Sequence, residues 1–318
     1  MSLESRLKAE AEAIGFLACG VATLEPSDRG TELDAWLGAG YGGTMRYLHR
    51  QAARRKAPAT IVPGALRAVM VLENYLPPEW PHPSDAPAVA TARYAAGSDY
   101  HVVTARRLQR LADWLMAQGA TTARVFVDAG PVPERELARR AGLGWIGKNT
   151  MLIRPGVGSW FFIGSVFTDL PLEPDSPHQE DRCGSCTRCL DACPTEAFVE
   201  AGLLDATKCI SFLTIEHKGP IPDALAPQVT GWAFGCDICN EVCPWNVRFA
   251  EPTAVPEFFA RAVPDHRDPG YFARMEPEEF AAQFGDTPFE RPGLEGMRRN
   301  WAAAFGSIGY GPGSKATE

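Results

Sequence analysis

Apolar positions in the first half of this chain follow two rhythms. One recurs every three or four residues, the spacing of a helix face; the other is a short unbroken apolar run, the pattern of a buried strand. The helical rhythm predicts a first helix over residues 2–13, stopped near Gly15, and a short one over 31–37 with glycines behind it. It returns over 104–118, where Leu108, Leu111 and Leu115 share a face and Gly119 offers a left-handed stop. Residues 68–72, 124–127 and 160–167 read as strands. A turn at 128–131 and a helix over 134–141 follow the second of them.

The pattern changes at 169–175, a proline-rich acidic stretch that marks a boundary. Beyond it the chain is loop-rich. From Glu251 it turns polar and aromatic with helical character, ending in a helix over 296–305 and a glycine-rich tail. The expected class is α+β. An α/β domain spans 1–170, a small cysteine-rich domain 171–250, and a short helical region 251–318.

The 318 residues, 45% of them hydrophobic, suffice for about two domains with a real core. No apolar run approaches membrane-spanning length, so no membrane association is expected. The N-terminus is charged, without an apolar stretch or a leading twin arginine, and Arg54-Arg55 lies too far in to be an export signal; a cytoplasmic protein is expected. Nothing suggests a coiled coil, and a monomer is expected. The net charge of −8 argues against indiscriminate nucleic-acid binding. Its distribution matters more. From Ala35 to Leu72 there is no acidic residue, yet Arg46, Arg50, Arg54, Arg55, Lys56 and Arg67 all fall there. This is a local basic face for a polyanion, or an ordinary solvated face.

Eight of the nine cysteines form two runs. The first is Cys183-x2-Cys186-x2-Cys189-x3-Cys193-Pro194, the bacterial ferredoxin signature, whose fourth cysteine reaches the other cluster of a pair. The second is Cys209, then Cys236-x2-Cys239-x3-Cys243-Pro244, with Cys209 displaced by a long insertion. The reading is two 4Fe–4S clusters with crossed fourth ligands. Cluster one takes Cys183, Cys186, Cys189 and Cys243; cluster two takes Cys209, Cys236, Cys239 and Cys193. Structural zinc would not require the x3-Cys-Pro endings. Cys19, in an apolar setting, reads as inert and buried.

Gly142-Leu-Gly-Trp-Ile-Gly147-Lys148-Asn149 satisfies one dinucleotide fingerprint and nearly satisfies a phosphate loop. It follows a helix and precedes a strand, the reverse of what the fingerprint needs, and Asn149 stands where magnesium would require a hydroxyl. A tight loop presenting a lysine and an amide is the better reading. Asp128 falls at the C-terminal end of a predicted strand, where α/β proteins place chemistry, and Pro131 and Pro133 keep it from being a clean helix cap. Arg93-Tyr94 and Asp99-Tyr100-His101 form a polar-aromatic group; a capped helix start explains it as well. His49, His82, His178, His217 and His266 have no metal-binding spacing.

Together these residues resemble the epoxyqueuosine reductase family of cobalamin-dependent iron–sulfur enzymes. The matching stretches are Val127-Asp-x-Gly-Pro131, Ala141-Gly-Leu-Gly-Trp-Ile-Gly-Lys-Asn149, Gly97-x-Asp-Tyr-His101, Cys209-Ile-Ser-Phe-Leu-Thr-Ile-Glu216 and both cysteine runs, covering most of residues 1–250. Longer members continue into helical repeats; here only the segment 298–305 resembles such a start.

The resemblance implies a cobalamin-binding, nitroreductase-like α/β domain, a two-cluster ferredoxin-like domain, and cobalamin held without a histidine beneath the cobalt. It implies an external electron donor feeding the clusters and, through them, cobalamin, and reduction of epoxyqueuosine to queuosine at the wobble position of tRNA. It assigns the general acid to Asp128, a role that needs a buried or apolar setting, and brings Tyr100, His101, Lys148 and Asn149 to the cofactor or substrate. The basic stretch 46–67 becomes a candidate phosphate-contacting surface. The competing readings are a reductive dehalogenase-like enzyme acting on a small organohalide, an electron-transfer module with no active site of its own, and an iron–sulfur protein that only binds nucleic acid.

Overall fold

A computed structural model of the chain describes residues 1–79, 89–260 and 264–309. His82 and most of the glycine-rich tail lie outside the described residues. Helix α1 (Leu3–Ile14) is opened by Ser2, whose Oγ accepts from the Ser5 amide, and closed by Gly15 at φ 98°. Strand β1 (Ala18–Thr23) follows, then α2 (Gly30–Gly38), α3 (Arg46–Lys56), β2 (Arg67–Asn74) and β3 (Ala90–Thr91). Helix α4 (Tyr100–Ala117) begins four residues before its apolar period, because the Asp99 carboxylate accepts from the His101 amide and caps it there. Strand β4 (Ala123–Val127), α5 (Glu134–Arg140), the short hairpin strands β5 (Trp145–Ile146) and β6 (Leu152–Ile153), and β7 (Phe161–Thr168) complete this part.

Strands β1, β2, β7 and β4 form one sheet in that order, antiparallel at every pairing. This corrects the argument that brought Asp128 forward. The rule that chemistry gathers at strand C-termini belongs to parallel sheets; here Asp128 follows an edge strand of an antiparallel one. The period of two along β2 sorts the core onto both faces. Val69 and Val71 face α1 and α4, packing with Leu7, Leu108 and Leu111. Ala68, Met70 and Leu72 face α5, packing with Leu137 and Ala138. The result is a helix–sheet–helix body.

The sequence pattern missed β1, α3 and the β5–β6 hairpin. α3 has no buried residue, so it carries no apolar period. The hairpin strands have two residues each, too few for any period.

The cysteine-bearing segment is short helices, short strands and loops, as metal ligation in place of a core predicts. It is interleaved with the rest of the chain. β3 pairs with the strand Trp232–Phe234, and Val89, Ala95, Ala233 and Phe234 share one apolar cluster with Trp301 and Phe305 of the C-terminal helix Gly293–Ser307. Among the described residues no helix is long and apolar enough to cross a membrane.

Candidate functional site

The two cysteine runs exchange their last members in space. Cys183, Cys186, Cys189 and Cys243 line one cavity of about 250 Å³. Cys193, Cys209, Cys236 and Cys239 line a second, tighter one of about 40 Å³. Among the described residues no group of three or more His, Cys, Asp or Glu closes on a point as a single metal ion would need. Four thiols spread around each cavity suit a larger inorganic core. Burial pushes the thiols of Cys209, Cys236 and Cys239 up. As thiolates they need compensating positive charge inside the cavity, which iron supplies, and loading releases protons. Cys19 lies apart, its thiol pushed up to about 12 by burial.

The glycine-rich segment is built for packing, not for phosphates. Gly142 ends α5 at φ 72°, and a Cβ on Gly144 would stand 2.2 Å from the Ile153 carbonyl oxygen. The resulting hairpin lays Trp145 and Ile153 against Cys243, with the Trp145 indole N–H 3.5 Å from Cys183 Sγ. Lys148 Nζ donates to the carbonyls of Gly184 (2.7 Å) and Cys186 (3.0 Å). Asn149 Nδ2 lies 3.4 Å from the Cys239 carbonyl, so adjacent residues touch the loops of both cavities. Ser159, Asn240 and Asn246, which sequence reasoning passed over, form a buried amide–hydroxyl knot behind them.

A second tie runs from Arg93. Its backbone N–H and Nη1 both reach Asp237 Oδ2, at 2.8 and 3.2 Å, and its guanidinium also pairs with Glu241. Burial pushes Asp237, which sits between Cys236 and the helix Ile238–Glu241, up to about 6, with Arg93 opposing.

The proton-bearing group lies at the end of β4. Asp128 adopts φ 43°, a left-handed backbone that aspartate tolerates at some cost. Tyr100 Oη donates to Asp128 Oδ2 at 2.5 Å, and the Tyr100 ring is stacked on Phe162 at 4.2 Å. Burial, then the charge of Asp128, raises the Tyr100 pKa far above its usual value, so it stays a donor. His101 Nδ1 is 2.8 Å from Asp99 Oδ1, and Nε2 is 4.0 Å from Asp128 Oδ2. Burial opposes a charge on His101, but Asp99 and Asp128 together raise its pKa.

The expectation of a buried Asp128 is corrected: its side chain is 64% exposed, because the Gly130-Pro131 turn carries the chain away and leaves the carboxylate at the tip. The withdrawn carboxyl is Glu134, first residue of α5. Its Oε1 accepts from the Asp128 amide at 2.8 Å. Burial, reinforced by the charge of Asp128, pushes Glu134 up to about 8. Tyr47, Arg55 and Arg291 lie within electrostatic range of Asp128. Arg291 is ion-paired to Glu216 at 3.0 Å. No local signal marks Glu134, Tyr47 or Arg291 in the sequence; Glu134 joins the site by its bond to the Asp128 amide, and the other two only by their place in the fold.

Paired four-cysteine cavities bound to a sheet that ends in a carboxyl–phenol group define an iron–sulfur oxidoreductase. Residues 182–246 match the model for the 4Fe-4S double cluster binding domain, and residues 55–129 match that for "Epoxyqueuosine reductase QueG, DUF1730". The epoxyqueuosine reductase of Pseudomonas aeruginosa is 41% identical over 312 residues, 96% of this chain and 85% of the relative. That of Xanthomonas campestris is 41% identical over 316 residues, 98% and 88%. Among solved structures, an epoxyqueuosine reductase with a tRNA-Tyr epoxyqueuosine-modified stem loop superposes with a TM-score of 0.85 at 31% identity, covering 96% of this chain and 81% of that one. The chain belongs to the epoxyqueuosine reductase family.

Proposed function

We propose that this protein reduces epoxyqueuosine to queuosine at the wobble base of tRNA, using two 4Fe–4S clusters and cobalamin. The observation that carries the reading is a carboxyl–phenol group, Tyr100–Asp128–Glu134, in the same body that Arg93, Lys148 and Asn149 tie to the cysteine loops. The reaction needs both supplies. Two electrons and two protons convert an epoxide to an alkene and water.

Cluster one would be held by Cys183, Cys186, Cys189 and Cys243, and cluster two by Cys193, Cys209, Cys236 and Cys239, fed by an external reductant. The reductase body spans 1–170, the cluster segment 171–250 and the helical region 251–318. Tyr100 and His101 would meet the cofactor or substrate, and Lys148 and Asn149 would carry its contact to the cluster loops. Cobalamin, when bound, supplies the low-potential electrons that open the epoxide. His101, turned to Asp99 and beside Asp128, would face the bound cobalamin or the substrate as a hydrogen-bonding group.

Asp128 would donate the proton to the leaving oxygen once bound substrate and cofactor cover its exposed carboxyl and supply the apolar setting that the free protein lacks, with Tyr100 fixing its orientation. A positioned acid of this kind contributes roughly 10²–10⁴ in rate. Wobble bases are unstacked and enter pockets readily. Arg46, Arg50 and Arg54, exposed at four-residue spacing on α3, offer phosphate contacts beside the site. The protein would act as a cytoplasmic monomer. The organohalide reading is weaker, because the relatives covering nearly the whole chain at about 40% identity are epoxyqueuosine reductases.

The test is nucleoside mass spectrometry of epoxyqueuosine-containing tRNA incubated anaerobically with reconstituted protein, cobalamin and a strong reductant. Cobalamin-dependent queuosine is expected, and Asp128→Asn should lower turnover by about 10² or more. No queuosine from protein with both clusters and cobalamin bound would return the case to small-molecule reduction.

A further inference from the structure

We infer that Arg55 is a positioning residue for this reaction: it reaches from α3 into the 128–133 turn and holds Asp128 where its carboxyl can act. The inference rests on the reading of Asp128 as the acid.

The turn needs outside support. Asp128 has a left-handed backbone and a largely exposed side chain, and such a conformation persists where its surroundings over-determine it. Two side chains bond the backbone of this turn. Glu134 takes the Asp128 amide at 2.8 Å. Arg55 donates from Nη2 to the Gly130 carbonyl at 3.1 Å and from Nη1 to the Val132 carbonyl at 3.2 Å. The planar fork spans two carbonyls two residues apart, which a lysine ammonium cannot do with the same geometry.

Arg55 is also unlike the other cations of its helix. Arg46, Arg50 and Arg54 are exposed, whereas Arg55 is half-buried and its Nε is enclosed without a hydrogen-bond partner. Withdrawing a guanidinium from water this way costs free energy that a solvated surface cation avoids. The two carbonyl bonds and the nearby charge of Asp128 offset part of it. α3 therefore presents Arg46, Arg50 and Arg54 outward and Arg55 inward onto the acid turn, while Lys56 pairs with Asp34. RNA phosphates seated on the outer three would steady the helix whose inner arginine holds Asp128.

The experiment uses holoenzyme and an epoxyqueuosine-bearing anticodon stem loop. It compares wild type, Arg55→Ala, Arg55→Lys and Asp128→Asn by kcat, KM, stem-loop affinity and amide hydrogen exchange over residues 127–133. Arg55→Ala should lose about 10²-fold in kcat, the scale of a misplaced catalytic group, with KM and affinity within about twofold of wild type. Exchange should rise in 127–133 and not in β2 or β7. Added methylguanidinium should restore part of the kcat of Arg55→Ala and none of that of Asp128→Asn, and Arg55→Lys should remain impaired.

An unchanged kcat in Arg55→Ala, with Asp128→Asn inactive, would overturn the proposal and leave the acid assignment standing. A raised KM with normal kcat would also overturn it, making Arg55 one more phosphate contact. So would exchange rising throughout the sheet without guanidinium rescue, since that is general destabilisation. Full turnover by Asp128→Asn would overturn the acid assignment and this inference together.

Discussion

Asp128 and Glu134 are six residues apart, meet through one backbone amide, and differ chiefly in their access to water. Asp128 ends an edge strand in the open; Glu134 starts a helix with its carboxyl withdrawn. A carboxyl whose folded pKa is about 8 against an ordinary 4.5 binds its proton more tightly in the folded state. Its contribution to stability is full below the unfolded pKa and is lost as pH rises through the folded one. Between about pH 5 and pH 8, wild type should therefore lose stability relative to Glu134→Gln, which keeps the acceptor oxygen without the titration. Denaturant midpoints across that range check it; parallel curves would mean that Glu134 is not the proton holder. Tyr100 and Asp128 were legible in the sequence through family-like motifs. Glu134 was not, because burial of one carboxyl among 39 acidic residues leaves no local trace.

At the scale of elements, the polar helix α3 supports the acid turn through Arg55 and the glycine hairpin β5–β6 meets the cysteine loops, and neither carries an apolar period. If α3 meets RNA phosphates, the joint variant Arg46→Glu, Arg50→Glu and Arg54→Glu should weaken stem-loop binding. It should also flatten the slope of log affinity against log salt by about 2, at roughly 0.7 per lost single-strand contact. Filter binding at several salt concentrations gives the answer, and an unaltered slope removes α3 from the interface. In the hairpin, Gly144→Ala forces a methyl to within 2.2 Å of a backbone oxygen, a distance that main chain must move to relieve. The hairpin carries Trp145 onto Cys183 and Lys148 onto the Gly184 and Cys186 carbonyls. Gly144→Ala should accordingly lose cluster one first, read as a fall in bound iron and sulfide.

At the scale of the whole molecule, the eight cysteines line two shared cavities. Crossed ligation puts Cys193 with Cys236, and Cys243 with Cys183, in common cavities. The double variant Cys193→Ser with Cys236→Ser should then keep one intact cluster, about four irons per chain where wild type holds about eight. Uncrossed ligation would damage both clusters, and iron analysis with electron paramagnetic resonance of the reduced protein separates the two.

Sequence alone determined the parts that depend on neighbours along the chain. These are the helix stops at Gly15 and Gly119, the strands with strong apolar runs, the cysteine spacings with their crossed partners, and the family-like motif around Asp128. Short-range sterics and ligand spacing are written locally, so they can be read locally. Tertiary structure alone decided the antiparallel order of the sheet, the exposure of Asp128, the partial burial of Glu134, the reach of Arg55 into the acid turn, and the tie of Lys148 and Asn149 to the cysteine loops. Each of these depends on which distant segments exclude water from one another, and solvent exclusion is a property of the packed chain.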